Sequence, residues 1–211
     1  MTLKIQKFIL GPIQNNSFLI IDDELKTCAV VDPPFGSEKI LEFINDHNLL
    51  LKMILITHAH FDHIGGVNLL IPPPPDSIQL YMHPDDQVLW EMGGGAAQFG
   101  FSIDQPGIQP TPVAHQQEIR FGRSRIIVLH TPGHTPGHVA FYLPGEQTVF
   151  CGDLIFYHGV GRTDLPGASG RQLTQSIENN IFTLPEDVIL YPGHGPETSV
   201  GEEKMNNPFL I

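Results

Sequence analysis

The sequence predicts an α+β protein in which two β-sheets pack together and helices cover their outer faces. Both halves of the chain contain several short apolar segments of strand-like pattern, and each half also contains helical segments. Neither a linker nor an internal repeat separates the halves, so we expect one domain spanning residues 1–211. The chain has 21 glycines and 19 prolines, well above the usual shares of about 7% and about 5%, which indicates many turns between short elements.

The first half is predicted to begin with three strands and then to alternate helices with strands. Residues 3–10 alternate loosely in polarity, Gly11-Pro12 ends that strand, and the acidic residues 22–24 form a hairpin turn. Ser37 is the expected N-cap of the first helix, and the proline run at 72–75 ends the second. The predicted strands cover residues 3–10, 17–21, 27–31, 53–56 and 78–81, and the predicted helices cover residues 37–48, 64–70 and 85–92.

The second half is predicted to be mostly strands. A long stretch rich in glycine and proline at 93–112 and a glycine-rich stretch at 159–170 are predicted as loops, and a loop as long as the first is usually functional or partly disordered in a compact domain. The predicted strands cover residues 118–121, 125–129, 139–142, 148–150 and 188–191, and one helix covers residues 172–182.

Composition excludes several classes of function. The formal net charge is −12, so the chain should repel nucleic-acid backbones and anionic membranes. Its two cysteines cannot form a disulfide framework, no apolar run reaches the ~20 residues of a membrane span, and the start resembles no signal peptide. We therefore expect a cytoplasmic protein. Eleven histidines equal the number of Lys and Arg together, which points toward metal chemistry.

The strongest motif is His58-x-His60-x-Asp62-His63, which follows the apolar strand at 53–56. Imidazole nitrogen and carboxylate oxygen suit zinc, iron or manganese. On an extended turn His58 and His60 point the same way, whereas Asp62 and His63 begin the next element and face another direction. One segment could thus supply ligands to two ions. The alternative, a set of solvated loop histidines, is disfavoured because four potential ligands at this spacing rarely coincide.

Three further candidate ligands each follow an apolar strand and a turn rich in glycine or proline. They are His134, Asp153 and His194. Rigid strands would hold these side chains, and glycine lets the backbone approach an ion closely. Each is weak evidence by itself, because a His after Pro-Gly is more often a turn residue. Together with the first motif they make seven candidates, enough for a two-ion site.

These residues resemble the metallo-β-lactamase superfamily over nearly the whole chain. Thr131-Pro-Gly-His-Thr-Pro-Gly-His138, Cys151-Gly-Asp153 and Pro192-Gly-His194 are similar to its glyoxalase II branch, the hydroxyacylglutathione hydrolases. The resemblance implies a four-layer αββα sandwich with two divalent ions at one edge, zinc being expected and iron or manganese also suiting the ligands. It implies that one ion is held by His58, His60 and His134 and the other by Asp62, His63 and His194. Asp153 would bridge them, with a hydroxide on the open side.

The implied reaction is hydrolysis of a thioester such as S-lactoylglutathione, a small anionic substrate, with Asp62 and Asp153 as the catalytic carboxylates beside the hydroxide. Arg162 matches the loop position where the family carries a basic residue that contacts glutathione; the alternative is an ion pair with Asp164. His138 is expected to orient the site through hydrogen bonds rather than to bind metal. No motif supports a functional role for the remaining histidines: His47, His83, His115, His130 and His158.

Other activities remain open at this point. An iron-dependent persulfide dioxygenase shares the fold and ligands, but a Cys typically stands there at the position of His138. Flavodiiron proteins place a Glu where His60 stands, and non-catalytic members usually lose ligands. Some lactamases have a Cys ligand at the position of Asp153, which argues against β-lactam hydrolysis.

The part of the substrate beyond the scissile bond also stays open. Full-length glyoxalase II enzymes carry a C-terminal helical domain with basic residues, whereas residues 195–211 contain one basic side chain, Lys204. The chain resembles compact bacterial relatives, so another thioester, an ester or a lactone is an alternative substrate. The sequence decides neither the metal nor the oligomeric state.

Overall fold

The computed structural model describes residues 3–71, 78–103 and 108–210, and within them it contains two six-stranded sheets and one small hairpin. The first sheet is antiparallel from β1 to β3 and parallel from β3 to β6. Its strands in spatial order are β1 (Lys4–Leu10), β2 (Asn15–Asp22), β3 (Thr27–Val31), β4 (Leu50–Leu55), β5 (Gln79–Met82) and β6 (Thr111–Pro112).

The second sheet is antiparallel except where two of its central strands run parallel. Its strands are β7 (Glu118–Phe121), β8 (Ser124–His130), β9 (Val139–Leu143), β10 (Thr148–Gly152), β13 (Ile189–Pro192) and β14 (Thr198–Ser199), in the order β14-β13-β10-β9-β8-β7. The parallel pair is β10 and β13. The hairpin of β11 (Ile155–Phe156) and β12 (Gly159–Val160) follows β10.

Three apolar clusters separate four layers and confirm the αββα sandwich. The central cluster joins the facing sides of the two sheets, with Phe18 and Leu55 from the first and Phe141 and Phe150 from the second. The outer face of the first sheet packs on α1 (Glu38–Asp46), α2 (Phe61–Ile64), α3 (Val67–Leu70) and α4 (Gln87–Glu91). The outer face of the second packs on α5 (Gly170–Ser176), the π-helical turn at Ile177–Ile181 that continues it, and α6 (Val200–Asn206). No helix in the described residues is long and apolar enough to cross a bilayer.

One local prediction was wrong, and another was confirmed in position only. Ser37 occupies the N-cap position of α1 as predicted, but its hydroxyl donates to the Pro34 carbonyl at 2.7 Å and does not cap the helix. The helix predicted over residues 64–70 is broken at Gly65-Gly66, where a side chain would overlap the 34–37 segment. The proline run at 72–75 and residues 104–107 of the first long loop lie outside the described residues.

Candidate metal centre

The seven predicted ligands meet at one edge of the sandwich, beyond the carboxyl ends of four strands. The segment after β4 carries His58 to His63, and β8, β10 and β13 are followed by His134, Asp153 and His194. Nitrogen and oxygen atoms lie within 4.8 Å of one another in three overlapping groups. The groups are His58, His60 and His134; Asp62, His63 and His194; and His58, His63 and Asp153.

In the first group, hydrogen bonds to residues outside the group orient the imidazoles of His134 and His58. His134 Nδ1 donates to the Arg162 carbonyl at 2.8 Å, so its Nε2 carries the lone pair that faces His60 Nδ1 at 2.9 Å. The Thr57 hydroxyl gives its proton to Asp32, so it accepts from His58 Nδ1 at 3.0 Å. Burial, reinforced by the neighbouring histidines, lowers the pKa of His60 to about 3 and that of His58 well below its usual value. These imidazoles are therefore neutral and available as ligands.

The second group combines a carboxylate with two imidazoles. Asp62 Oδ2 lies 3.3 Å from His194 Nε2 and 3.6 Å from His63 Nε2. It also accepts from Asn15 Nδ2 at 2.8 Å. Burial by itself would raise the pKa of Asp62, but His63, His194 and Asn15 outweigh it and lower the pKa to about 2. The carboxylate is consequently ionised at neutral pH.

Asp153 lies between the two groups: its Oδ1 faces the second group, and its Oδ2 faces the first and also lies 3.9 Å from His194 Nε2 of the second. Asp153 Oδ1 is 3.4 Å from His63 Nε2, and Asp153 Oδ2 is 3.6 Å from His134 Nε2. Burial would raise the pKa of Asp153, but the surrounding histidines lower it below its usual range. Gly193 makes room for this carboxylate, because a Cβ there would overlap Asp153 Oδ1 and stand 2.6 Å from the His63 ring. The position requires a glycine.

The side chains fit two divalent cations. The buried atoms without a hydrogen-bonding partner include His58 Nε2, His63 Nε2 and Asp153 Oδ1 of the ligand groups and also His138 Nε2 behind them. Such atoms are costly unless another group satisfies them. Burial alone would lower the pKa of His63, but Asp153, Asp62 and Asp32 raise it well above its usual value. Bound dications would balance the negative charge of these carboxylates. The donor set of imidazoles and carboxylates suits zinc, iron or manganese.

Two buried carboxylates that the sequence analysis missed hold the ligand segments in place. Asp32, just past β3, accepts from Thr57 N at 2.7 Å, from Thr57 Oγ1 at 2.6 Å and from His63 Nδ1 at 3.0 Å. Asp86, just before α4, accepts from Ala59 N at 2.9 Å, Thr135 Oγ1 at 2.8 Å and Gly137 N at 2.7 Å. Asp86 thus ties the segment of His58 and His60 to the turn that follows β8.

Two asparagines at the start of β2 support the His194 turn and were also missed. Asn15 Nδ2 lies 3.3 Å from His194 Nε2 in addition to its bond to Asp62. Asn16 Nδ2 donates to the carbonyls of Pro192 and Gly195 at 2.9 and 2.8 Å. The first sheet therefore positions a ligand that belongs to the second sheet.

The two residues predicted to assist the site, His138 and Arg162, both make contacts within the protein. His138 is fully buried, its Nδ1 is 2.9 Å from Thr131 Oγ1, and its ring stacks on His58 at 5.2 Å between centroids. Arg162 is about half exposed and makes a bidentate ion pair with Asp164 at 2.7 and 2.8 Å. This ion pair lowers the pKa of the Asp164 carboxyl to about 2. The structure therefore contains the ion pair with Asp164 that the sequence offered as the alternative to a substrate contact.

One more histidine group, His83, Asp85 and His130, lies close enough to suggest a metal. The rings of His83 and His130 stack at 4.0 Å with an angle of 8°, so their lone pairs lie in parallel planes and do not converge. His130 Nε2 also bonds the Pro136 carbonyl at 3.0 Å, and His83 Nδ1 accepts from Asp85 N at 3.2 Å. This stack is a structural contact.

Comparisons with known proteins identify the family of the chain. The family model of the metallo-beta-lactamase superfamily matches residues 10–194. The chain is 36% identical to the probable metallo-hydrolase YqgX of Bacillus subtilis, over 99% of this chain and 98% of the relative. It is 34% identical to the hydroxyacylglutathione hydrolase GloC of Haemophilus influenzae, over 93% of each.

Solved structures show the same fold. The BLEG-1 B3 metallo-beta-lactamase matches with a TM-score of 0.90 and 34% identity, covering 99% of this chain and all of that one. TTHA1623 in a di-iron-bound form matches with a TM-score of 0.87 and 40% identity, covering 97% of this chain and all of that one.

Proposed function

This chain belongs to the metallo-beta-lactamase superfamily, and we propose that it is a binuclear metal-dependent hydrolase that cleaves thioesters of the hydroxyacylglutathione type. The observation that carries the proposal is the position of Asp153 between two ligand groups, with its carboxylate oxygens toward imidazoles of both. When bound, two such ions supply a water activated near neutral pH and a positive charge that stabilises the oxyanion of an attacked carbonyl.

We assign seven residues to metal binding. His58, His60 and His134 would hold one ion, Asp62, His63 and His194 would hold the other, and Asp153 would contribute to both. The metal we propose is zinc, because the set is rich in imidazole, although the same ligands suit the iron that TTHA1623 binds.

The protein's own groups position the reaction. Asp62 and Asp153 are ionised carboxylates, Asp62 within the second group and Asp153 between the two, and there they would orient a water toward the substrate carbonyl. Asp32 and Asp86 fix the ligand segments from behind, so that the ligands need not reorganise as charge develops. A nucleophilic role for Cys151 is unnecessary: its thiol is buried and donates to the Ile155 carbonyl at 3.5 Å.

Several features support a thioester of the glyoxalase II type. GloC, a relative over 93% of the chain, is named a hydroxyacylglutathione hydrolase, and His138 stands where persulfide dioxygenases typically have a Cys. We further propose a cytoplasmic enzyme that acts on small molecules and binds neither nucleic acid nor membrane, in keeping with the net charge of −12 and two free cysteines.

A β-lactam is the second candidate substrate, because the likeness to the BLEG-1 metallo-beta-lactamase spans 99% of the chain. The remaining candidate substrates are an ester, a lactone and a persulfide, and oxidation of the persulfide would consume oxygen. These reactions release different products, so one panel distinguishes them.

The test combines metal analysis of purified protein with an assay of S-lactoylglutathione hydrolysis, which is monitored by the release of free thiol. We expect two metal ions per chain and thiol release that a chelator abolishes. A single iron with oxygen uptake on glutathione persulfide would favour the dioxygenase. Opening of a chromogenic cephalosporin without thioester cleavage would replace the thioester proposal with a lactamase.

A further inference from the structure

An apolar cavity opens directly beside His60, on the side of the first ligand group. Its volume is about 250 Å³, and its walls come from α4, the turns at Gly93–Phe99 and the loop at Leu165-Pro166. This volume falls below the ~300 Å³ at the small end of ligand pockets. The cavity therefore accommodates one substituent of a substrate rather than an entire cofactor-sized molecule.

The cavity walls are apolar and reach the solvent. Val88, Met92 and Phe99 are 68%, 62% and 52% exposed, although large apolar side chains usually avoid such exposure. All three line this one cavity, where they are joined by Leu89, Pro136 and Leu165. Clustering of exposed apolar groups next to a reaction centre marks a binding surface rather than scattered surface residues.

The charges around the cavity disfavour an anion. Among the residues that line it, Asp85 carries the negative charge and no Lys or Arg is present. Arg162 in the neighbouring loop is already paired with Asp164 through both arms of its guanidinium. A carboxylate entering the cavity would thus lose its hydration and meet Asp85 without a cation to compensate.

The cavity wall is fixed to the segment that carries the metal ligands. Phe61, which lies between His60 and Asp62, stacks on Phe99 at 5.0 Å and on Phe101 at 5.5 Å. Gly94 lies against the backbone of Ala59 and Phe61 so closely that a Cβ there would stand 2.6 Å from the Ala59 carbonyl. The wall is consequently preformed and keeps a constant distance from the reaction centre.

We infer that this cavity binds an uncharged apolar substituent of the substrate, attached either to the scissile carbonyl or to the leaving sulfur. The inference rests on the proposed thioester hydrolysis and narrows its substrates to thioesters with an apolar chain at this position. Val88 and Met92 then determine specificity through contact area. Each methylene buried in the cavity should raise kcat/KM roughly fourfold.

Two substrate series identify which end of the substrate enters. In the first, glutathione carries acetyl, butanoyl, hexanoyl or succinyl groups. In the second, the acetyl group stays constant and the thiol is glutathione or an alkanethiol of increasing length. We expect kcat/KM to rise with chain length in one series, by roughly 15-fold from butanoyl to hexanoyl if the acyl end enters. Succinyl should then be the poorest substrate of its series. Flat responses in both series would overturn the inference.

Met92→Glu and Met205→Glu form a matched pair of variants, because both methionines are exposed, at 62% and 71%, and Met205 lies on α6 away from the cavity. Met92→Glu should lower the ratio of kcat/KM for the long-chain substrate to that for acetylglutathione about tenfold, whereas Met205→Glu should leave this ratio unchanged. Val88→Lys should improve succinylglutathione. Equal effects of the two Glu substitutions would overturn the assignment.

A binding measurement separates this inference from the proposed reaction. A hexyl thioether of glutathione, which cannot be hydrolysed, is titrated into parent protein and Met92→Glu by calorimetry. Binding to the parent that weakens about tenfold in Met92→Glu supports the cavity even if no thioester is cleaved, in which case the proposed function alone fails. Absence of binding to the parent, or equal binding to both, overturns the cavity assignment.

Discussion

The turn after β8 contains the same tetrapeptide twice, and its two copies occupy different environments. Thr131-Pro-Gly-His134 ends with an imidazole whose Nε2 faces His60 and Asp153. Thr135-Pro-Gly-His138 ends with an imidazole that bonds Thr131 and stacks on His58 from outside the ligand groups. Identical local sequence thus produces a candidate ligand in one copy and a supporting residue in the other.

The backbone explains the difference. Hydrogen bonds from Thr131 N to the His138 carbonyl, at 2.9 Å, and from Gly133 N to the Thr135 carbonyl, at 3.1 Å, close the turn. His134 lies at the tip, beyond the sheet edge, whereas His138 immediately precedes β9 and returns into the sheet. Gly133 packs against Leu173 of α5, and Gly137 packs against Asp86. Each copy is therefore anchored in a different layer.

The largest effect is expected at Asp153, which faces the first copy's imidazole and His63 together. Asp153→Asn should lower turnover by well over 100-fold, beyond the ~10–100-fold typical of residues behind the ligands, because a neutral amide cannot join two dications. Metal content should fall as well, as measured by mass spectrometry. Asp187→Asn, at an exposed carboxylate, is the control. Two bound ions with activity within a few-fold of the parent would disprove the bridging role.

The two copies are compared directly by His134→Ala and His138→Ala. We expect His134→Ala to lose metal even at saturating concentrations, because a ligand is gone. His138→Ala should keep its stoichiometry and lose about 10–100-fold in affinity or activity. Equilibrium dialysis with zinc measures both quantities. Equal metal loss in the two variants would show that the copies are equivalent and the assignment is wrong.

Asp86→Asn weakens the anchor of the second copy. At least one of the three groups that donate to Asp86 would then face the amide N–H₂ of the asparagine, which cannot accept its hydrogen bond. A buried donor would be left unsatisfied, at a cost of about 1–3 kcal/mol. For a chain of this size each kcal/mol lowers Tm by roughly 2–4 °C, which thermal unfolding by circular dichroism can resolve. The exposed Asp46→Asn serves as the control. An unchanged Tm would mean that Asp86 does not hold the turn.

The smallest effect is expected at Arg162, whose carbonyl orients His134 while its side chain pairs with Asp164. If a substrate carboxylate competes for the guanidinium, Arg162→Ala should raise KM for S-lactoylglutathione up to about tenfold and leave kcat near normal. Arg162→Lys should recover part of the loss. A neutral thioester is the control, and an equal loss on it would identify a purely structural ion pair.

The sequence predicted much of the fold and the candidate ligands for one physical reason. Strands with alternating or continuous apolar residues are recognisable in the sequence, and so are the polar residues that follow each strand. His58, Asp153 and His194 all follow such strands, at the edge of a sheet. Their meeting point follows from the topology of two packed sheets. Local pattern was therefore sufficient to select these residues.

The supporting residues could not be found in the same way. Asp86 lies 27 residues from Ala59 and 51 from Gly137, and Asn15 lies 179 from His194, so only the folded chain reveals their contacts. Strands of two residues, such as β6 and β14, have no periodicity to detect. α6 did carry a signal: Ser199 caps it by accepting from Glu202 N at 3.1 Å, the arrangement expected of a Ser three residues before an acidic one.

The central claim is that each of the two ligand groups binds one metal ion. Its most direct test is anomalous diffraction from crystals of the metal-loaded protein, recorded just above the absorption edge of the bound metal. The account predicts two peaks about 3.5–4 Å apart. One should lie among His58, His60 and His134, the other among Asp62, His63 and His194, with Asp153 touching both. A single peak in fully active protein, or a peak coordinated by His138, would contradict it.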